Sequence, residues 1–412
     1  MNLKEIFRFN MKRLIYLFLL FALISPAKAA EIIKGPYTED AALKSAIVKF
    51  AATEASPAWL EYGPIGKCSQ LMAVAAPARN HKFILHGLTP NTQFCYKAYV
   101  QNNAGDGVQE GREGTFKTLY TPERKIVNFL IVGNTSAPQA AEDGEAAQPA
   151  DTTEIKQTMA RNMANYESDF LLHTGNISST GLAPDETKQF FEPYKKILSK
   201  MPLLAAVGSD EYGPNAKTAD GKGFLAANYK ANHSMPWSKG TPNYYYFDTA
   251  NARIIVIDTN NLYGALQAPK LDKTSSQYEW LKSTLAKTAA DKWKIVVMHH
   301  PVYSSGSTED LLSVVLAPLF EAHQVKLVIQ GHQGAYERTK PIKHAQPSKN
   351  GPIYITVGGS GKFFEQSSYE NDWGSKYVSA PHFAHIKIVD RKLSLRVYTH
   401  DNKMIDALDI NF

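Results

Sequence analysis

Residues 125–136 read Lys-Ile-Val-Asn-Phe-Leu-Ile-Val-Gly-Asn-Thr-Ser, an apolar strand from Lys125 to Val132 that stops at Gly133-Asn134. A run without polar alternation suits a strand buried on both faces, as in a parallel sheet covered by helices. Downstream the period changes: Ile155, Met159 and Met163 fall on one stripe, predicting a helix over 151–166. Apolar strands then recur at Phe170–Thr174, Ile254–Ile257, Ile295–Met298, Leu327–Ile329 and Ile353–Val357. Helical stripes lie among them, carried by Phe190, Phe191, Tyr194, Ile197 and Leu198, by Tyr278, Leu281 and Leu285, and by Leu312, Val315 and Leu319. Alternating strands and helices predict an α/β layered domain over 124–412, with functional loops at the carboxyl ends of its strands. The Ala-, Pro- and acid-rich stretch Ala137–Asp151 reads as a surface loop beyond the first strand.

Upstream, short alternating runs (Ala46–Phe50, Trp59–Tyr62, Phe83–Leu85, Phe94–Val100) are broken by Gly63-Pro64, Gly87 and Pro90-Asn91. This spacing predicts a small all-β sandwich over 30–120. Phe94, Tyr96, Ala98 and Val100 share one face, leaving Cys95 with Lys97 on the wetter one; Cys95 and Cys68, the two cysteines, are either bridged or free. At the N-terminus, Lys12-Arg13, the apolar run Leu14–Ile24 and Ala27-Lys28-Ala29 form a secretory signal, predicting cleavage after Ala29 and export to a periplasm or beyond the cell. Eleven helical residues span about 16 Å, roughly half a bilayer core, so no stable membrane anchor is expected after cleavage. The chain of 412 residues carries +6; residues 1–29 hold +4 of it (five Lys and Arg, one Glu), leaving 6 − 4 = +2. That balance, without a basic cluster, argues against a nucleic-acid partner.

The strand ends carry signatures: Gly133-Asn134-Thr135-Ser136, Gly175-Asn176-Ile177-Ser178-Ser179, Gly208-Ser209-Asp210-Glu211, Val296-Val297-Met298-His299-His300-Pro301 and Gly331-His332-Gln333-Gly334-Ala335-Tyr336-Glu337-Arg338. In this order they resemble the five motifs of the calcineurin-like metallophosphoesterases, most closely the purple acid phosphatase branch with its fibronectin-like N-terminal domain. The resemblance covers nearly all of the mature chain. It implies a four-layer α/β/β/α sandwich preceded by a small fibronectin III-like all-β sandwich.

It also implies chemistry with two metal ions roughly 3.5 Å apart that orient a phosphate ester and activate water. Two divalent ions that close repel by roughly 19 kcal/mol at an effective dielectric of about 20, and bridging carboxylates offset this. Here the family's two Asp ligands correspond to Asn134 and Asn176, its Tyr to Ser179, its Asn to Ser209 and its last His to Gly334. Only His299 and His332 keep the ligand type. The expectation is therefore either no cofactor or one weakly bound divalent metal (Zn, Fe or Mn) at His299 and His332, helped by an Asn176 oxygen, Asp210 or water, and not a binuclear centre. Asp210 stands at the family's proton-donating His and is a weak candidate acid. His173 and His300 read as supporting residues, and Arg338 as a brace of its loop.

These residues support two readings: an exported protein impaired as a binuclear phosphatase that acts by binding an unidentified ligand or protein, or a phosphomonoester hydrolase using a residual metal site. Other hydrolytic frames fail. Gly358-Gly359-Ser360-Gly361-Lys362 lacks the spacing of a phosphate loop and of a nucleophile elbow.

Overall fold

The computed structural model describes residues 30–101, 108–137, 151–213, 226–236, 239–265, 267–305, 311–362 and 371–412. The expected signal segment and most of the expected 137–151 loop lie outside them. Five strands come first: β1 (Ile32–Glu39), β2 (Ser45–Pro64), β3 (Gln70–His86), β4 (Gln93–Gln101) and β5 (Val108–Lys117). They enclose their own core, with Val48, Phe50, Leu60, Phe83, Phe94, Tyr96, Ala98 and Phe116 packed together. Runs that read as separate short strands are joined. β2 is one 20-residue strand that pairs β1 through Ile47–Ala52 and β4 through Ala58–Pro64. A register break near Ala51–Ala58 on its β3 side marks the change of neighbour. β4 buries the expected face, with Phe94, Tyr96, Ala98 and Val100 inside and Cys95 half-buried. Cys95 is disulfide-bonded to Cys68, Cα–Cα 5.9 Å.

The second part begins with β6 (Ile126–Val132), β7 (Phe170–His173) and β8 (Leu203–Ala205), which pair in parallel. Next come β9 (Tyr245–Thr249), β10 (Ala252–Val256), β11 (Trp293–Val297), β12 (Leu327–Gln330) and β13 (Tyr336–Thr339). A two-residue ladder of β14 (Ile342–Lys343) with β15 (Gln346–Pro347) precedes β16 (Ile353–Val357) and β17 (Gly374–Val378). The chain ends in β18 (His382–Val389), β19 (Lys392–Thr399) and β20 (Met404–Asn411). Among the described residues one sheet runs β20-β19-β18-β6-β7-β8 and continues through β1 into the N-terminal strands; the other runs β17-β13-β16-β12-β11-β10-β9.

The apolar runs serve two cores at once. Ile254, Val256, Ile295, Val297, Ile329 and Ile355 face the first sheet, meeting Phe129, Ile131 and Leu171. Their neighbours Ile255, Val296, Met298, Val328 and Tyr354 face outward onto helices. Period-two alternation between two buried faces leaves few polar positions.

Among the described residues the α-helices are α1 (Thr153–Met163), α2 (Ala183–Glu186), α3 (Lys195–Leu198), α4 (Ala227–Asn232), α5 (Ser276–Ala286) and α6 (Leu311–Ala322). α1 packs Met159 and Met163 on the first sheet, while α5 and α6 place Leu281, Leu285, Leu312, Leu316 and Phe320 on the second. The Ser275 side chain caps α5 by accepting from Tyr278 N. The layers are therefore helix, sheet, sheet, helix, with a small β domain at the N-terminus. The helix expected around Phe190–Leu198 is broken into a π turn at Thr187–Phe191 and the short α3, with Pro193 between them. Among the described residues no helix is long and apolar enough to cross a membrane.

Candidate functional site

The loops after β6, β7, β8, β11, β12 and β16 meet at the carboxyl ends of both sheets. Three residues there have left-handed backbones: Asn134 (φ 50°), Asn176 (φ 58°) and His332 (φ 66°). Asparagine tolerates this region and histidine does so less readily, so three such residues at one site mark a backbone held by its surroundings. All three occupy positions that the sequence pattern assigns to metal ligands.

Asn134 is fully buried and its amide donates to the His332 carbonyl at 2.6 Å. Its Oδ1 is buried without a hydrogen-bond partner. Asn176 Oδ1 accepts from Asp210 N at 2.9 Å and from Ser209 Oγ at 3.4 Å. Ser179 exchanges hydrogen bonds with the Gln189 side chain. Both Asn side chains thus tie one loop to another.

The histidines are arranged differently. His299 Nδ1 donates to the Thr174 carbonyl at 2.9 Å, which fixes the proton on Nδ1 and leaves the Nε2 lone pair facing inward. That Nε2 lies 3.4 Å from Ser209 Oγ and 3.3 Å from His332 Nδ1. His300, the residue after it, joins them: one ring nitrogen of each of His299, His300 and His332 lies within 4.8 Å of the others. His300 Nδ1 is 2.9 Å from Thr259 Oγ1, and its ring stacks on Tyr263 with centroids 3.9 Å apart. Burial holds all three imidazoles below their ordinary pKa, with His332 adding to the effect on His299, and His299 and His332 adding to that on His300. They stand as neutral rings. His300, which reads from sequence as a supporting residue, brings a ring nitrogen into the same group. His173 does support: Gly175 N donates to its Nδ1, so its Nε2 donates to Thr135 Oγ1, which in turn donates to the Ile177 carbonyl.

Two more residues, Lys362 and Glu211, join the site. Lys362, on the loop after β16, places its ammonium 2.8 Å from Asp210 Oδ2. Asp210 is thus one half of an ion pair, and its backbone N–H is held by Asn176. Glu211 is buried and accepts backbone N–H groups from Gly208, Asn176 and Ile177 at 2.6, 2.9 and 2.7 Å. Burial and the neighbouring Asp210 push its pKa up to about 7, opposed by those three donors. Arg338 grips Asp406 of β20 through two nitrogens, at 2.6 and 3.1 Å, in keeping with a brace.

A model of the family described as calcineurin-like phosphoesterase matches residues 97–336, more than half of the chain. The chain belongs to that family. Within it the likeness is to purple acid phosphatases. Purple acid phosphatase 21 of Arabidopsis thaliana is 27% identical over 291 residues, covering 68% of this chain and 58% of the relative. Purple acid phosphatase 18 of the same plant is 32% identical over 196 residues, covering 45% and 42%. The chain thus spans less than two thirds of the length of these relatives. Among solved structures, purple acid phosphatase PPD1 from yellow lupin (Lupinus luteus) seeds superposes with a TM-score of 0.73 at 21% identity, over 91% of this chain and 74% of that one. GAP50, described as the anchor in the inner membrane complex of Plasmodium, gives 0.51 at 20% identity, over 70% and 90%.

The family uses divalent metal, but the residues present do not fit a pair of ions. At the bridging position an amide oxygen already accepts two hydrogen bonds. At the neighbouring position the amide points its N–H₂ at a carbonyl, and the last His is replaced by Gly334. Neither asparagine supplies negative charge to offset the repulsion between two cations. One ion is a different matter, because three imidazoles with ring nitrogens within 4.8 Å of one another suit it.

Proposed function

We propose that this protein is an exported member of the purple acid phosphatase-like branch that binds a ligand in the former catalytic cleft and does not turn over phosphate esters through a binuclear centre. The observation that carries this reading is the Asn134 amide bound to the His332 carbonyl. It uses a ligand position as a structural tie and puts an amide where the family's motif has a carboxylate. The Asp210–Lys362 pair supports it, since the residue at the proton-donor position is engaged with an ammonium. Export is supported by the N-terminal signal pattern and by the Cys68–Cys95 disulfide, which persists best in an oxidising compartment.

The test is turnover of an aryl phosphate by pure protein supplied with Zn²⁺, Fe²⁺ or Mn²⁺, with and without a chelator. No chelator-sensitive turnover is expected. Clear turnover that His299→Ala or His332→Ala abolishes would overturn the reading in favour of a phosphomonoester hydrolase with a residual metal site.

A further inference from the structure

We infer that His299, His300 and His332 form a mononuclear site for a borderline divalent cation of the zinc class, with His300 as a ligand in its own right. The inference rests on the reading of the cleft as a binding site and goes beyond it by naming what is bound there first.

Three observations converge. The first is spacing. Two nitrogens on one tetrahedral Zn²⁺ at about 2.05 Å each lie about 3.3 Å apart, and His299 Nε2 and His332 Nδ1 are 3.3 Å apart. Without metal the same two atoms can share a proton as an N–H···N hydrogen bond, so the approach is tenable in both states. The second is orientation. Metal-bound histidines usually have the far nitrogen tied down by a carbonyl, carboxylate or hydroxyl, which fixes the ring and its tautomer. His299 has the Thr174 carbonyl, and His300 has Thr259 Oγ1 on its Nδ1 with Tyr263 stacked against its face. The third is company. Asp210, the carboxylate beside this group, is already paired with Lys362, and the Asn176 oxygen already accepts two hydrogen bonds.

An all-imidazole donor set discriminates. Hard cations such as Mg²⁺ and Ca²⁺ require oxygen ligands, whereas Zn²⁺, Cu²⁺ and Ni²⁺ accept nitrogen. Three neutral rings also leave the ion's full charge uncompensated. When bound, the metal would supply a single Lewis-acidic centre, and Lys362 lies in the same cleft, so the ligand favoured there is an anion.

The experiment is a titration of the full mature chain with Co²⁺, whose visible absorption reports tetrahedral nitrogen coordination, in wild type and in His300→Ala. Zn²⁺, Mg²⁺ and Ca²⁺ serve as competitors. One Co²⁺ per chain, displaced by Zn²⁺ and not by a hundredfold excess of Mg²⁺ or Ca²⁺, is expected, with His300→Ala weakening binding at least tenfold. X-ray absorption of the Zn²⁺-loaded wild type removes any dependence on the variant's folding: three imidazole scatterers are expected. Two scatterers, or unchanged affinity in a folded His300→Ala, would overturn the role of His300. No binding by folded wild type would overturn the inference while leaving a metal-free binding cleft intact. Two ions per chain with phosphate-ester turnover would instead overturn the proposed function itself.

Discussion

The side-chain amide of Asn134 donates a 2.6 Å hydrogen bond to the main-chain carbonyl of His332. A carboxylate could not make this bond, because it would set two acceptor oxygens against each other. Asn176, by contrast, is held through its oxygen, which an aspartate also presents. The two positions should therefore respond differently to the same substitution. In metal-free protein, Asn134→Asp is expected to cost about 1–3 kcal/mol, the penalty for a buried polar group left unpaired, and Asn176→Asp much less. Thermal melts in chelator measure this. Added Zn²⁺ or Mn²⁺ should restore part of the loss in Asn134→Asp, and the double substitution should raise metal affinity. Equal melts for the two single variants would mean that the amide does not tie the loops.

Glu211 holds the loops after β7 and β8 by accepting three backbone N–H groups. Removing it in Glu211→Ala leaves three buried donors unpaired, and at roughly 1–3 kcal/mol each the loss should reach at least about 3 kcal/mol. Glu211→Gln keeps one acceptor oxygen and should lose less. Urea unfolding of both variants checks the order.

The joint between the N-terminal strands and the α/β layers is a buried charge cluster. His233 sits with Nδ1 2.7 Å from Glu39 and Nε2 3.3 Å from Glu186, so with both carboxylates ionised both ring nitrogens must carry protons. Lys49 pairs with Glu39, and Lys34 with Glu186, while Phe191 and Tyr229 flank the ring. Burial alone would lower the His233 pKa, but Glu186 and Glu39 raise it above the ordinary value. A raised folded pKa means that this stabilisation is complete below about pH 6.5, the unfolded value. It is lost as pH rises through the folded value. Wild type should therefore lose stability above neutral pH relative to His233→Gln, whose own profile should be flatter there. His233→Ala should cost about 3–5 kcal/mol at pH 6, as expected for breaking a buried ionic cluster. Parallel stability profiles for wild type and His233→Gln would contradict the assignment.

Cys68 and Cys95 are separated by 27 positions. Closing a loop of that length removes about 3.5 kcal/mol of unfolded-chain entropy in the chain-entropy model. The Cys68→Ala/Cys95→Ala variant should lose stability of that order, with hydrogen exchange faster in β2, β4 and β5 and unaltered in β11, β12 and β16.

Much of this architecture is legible in the order of the amino acids. The strands that end at site loops are mostly apolar runs, broken at Asn128 in β6 and Thr356 in β16, because both their faces are buried, and the run at Ile353–Val357 is found with the limits expected. β2 and β3 are harder to read, since Pro57 and the small residues Ala73, Ala75 and Ala76 blur the alternation that a half-buried strand displays. β18 and β19 do show clear alternation, at Ile386, Ile388, Leu393, Leu395 and Val397, and that period is a sufficient signal for both.

At the site, Asn134 meets His332, Asn176 meets Ser209, and Ser209 and His332 both approach His299. His300 and Glu211 lie within the quoted motifs, but their contacts, like that of Lys362, are not visible in the sequence. Lys362 meets Asp210 across 152 positions, and His300 meets His332 from another strand end. Such pairings follow from loop convergence and leave no local pattern.

The central claim is most directly tested by the metal content of mature, untagged protein, measured by inductively coupled plasma mass spectrometry after saturation with Zn²⁺ and removal of excess. One ion per chain, with no phosphate-ester turnover, is the result this account predicts. Two ions per chain, with chelator-sensitive turnover, would contradict it.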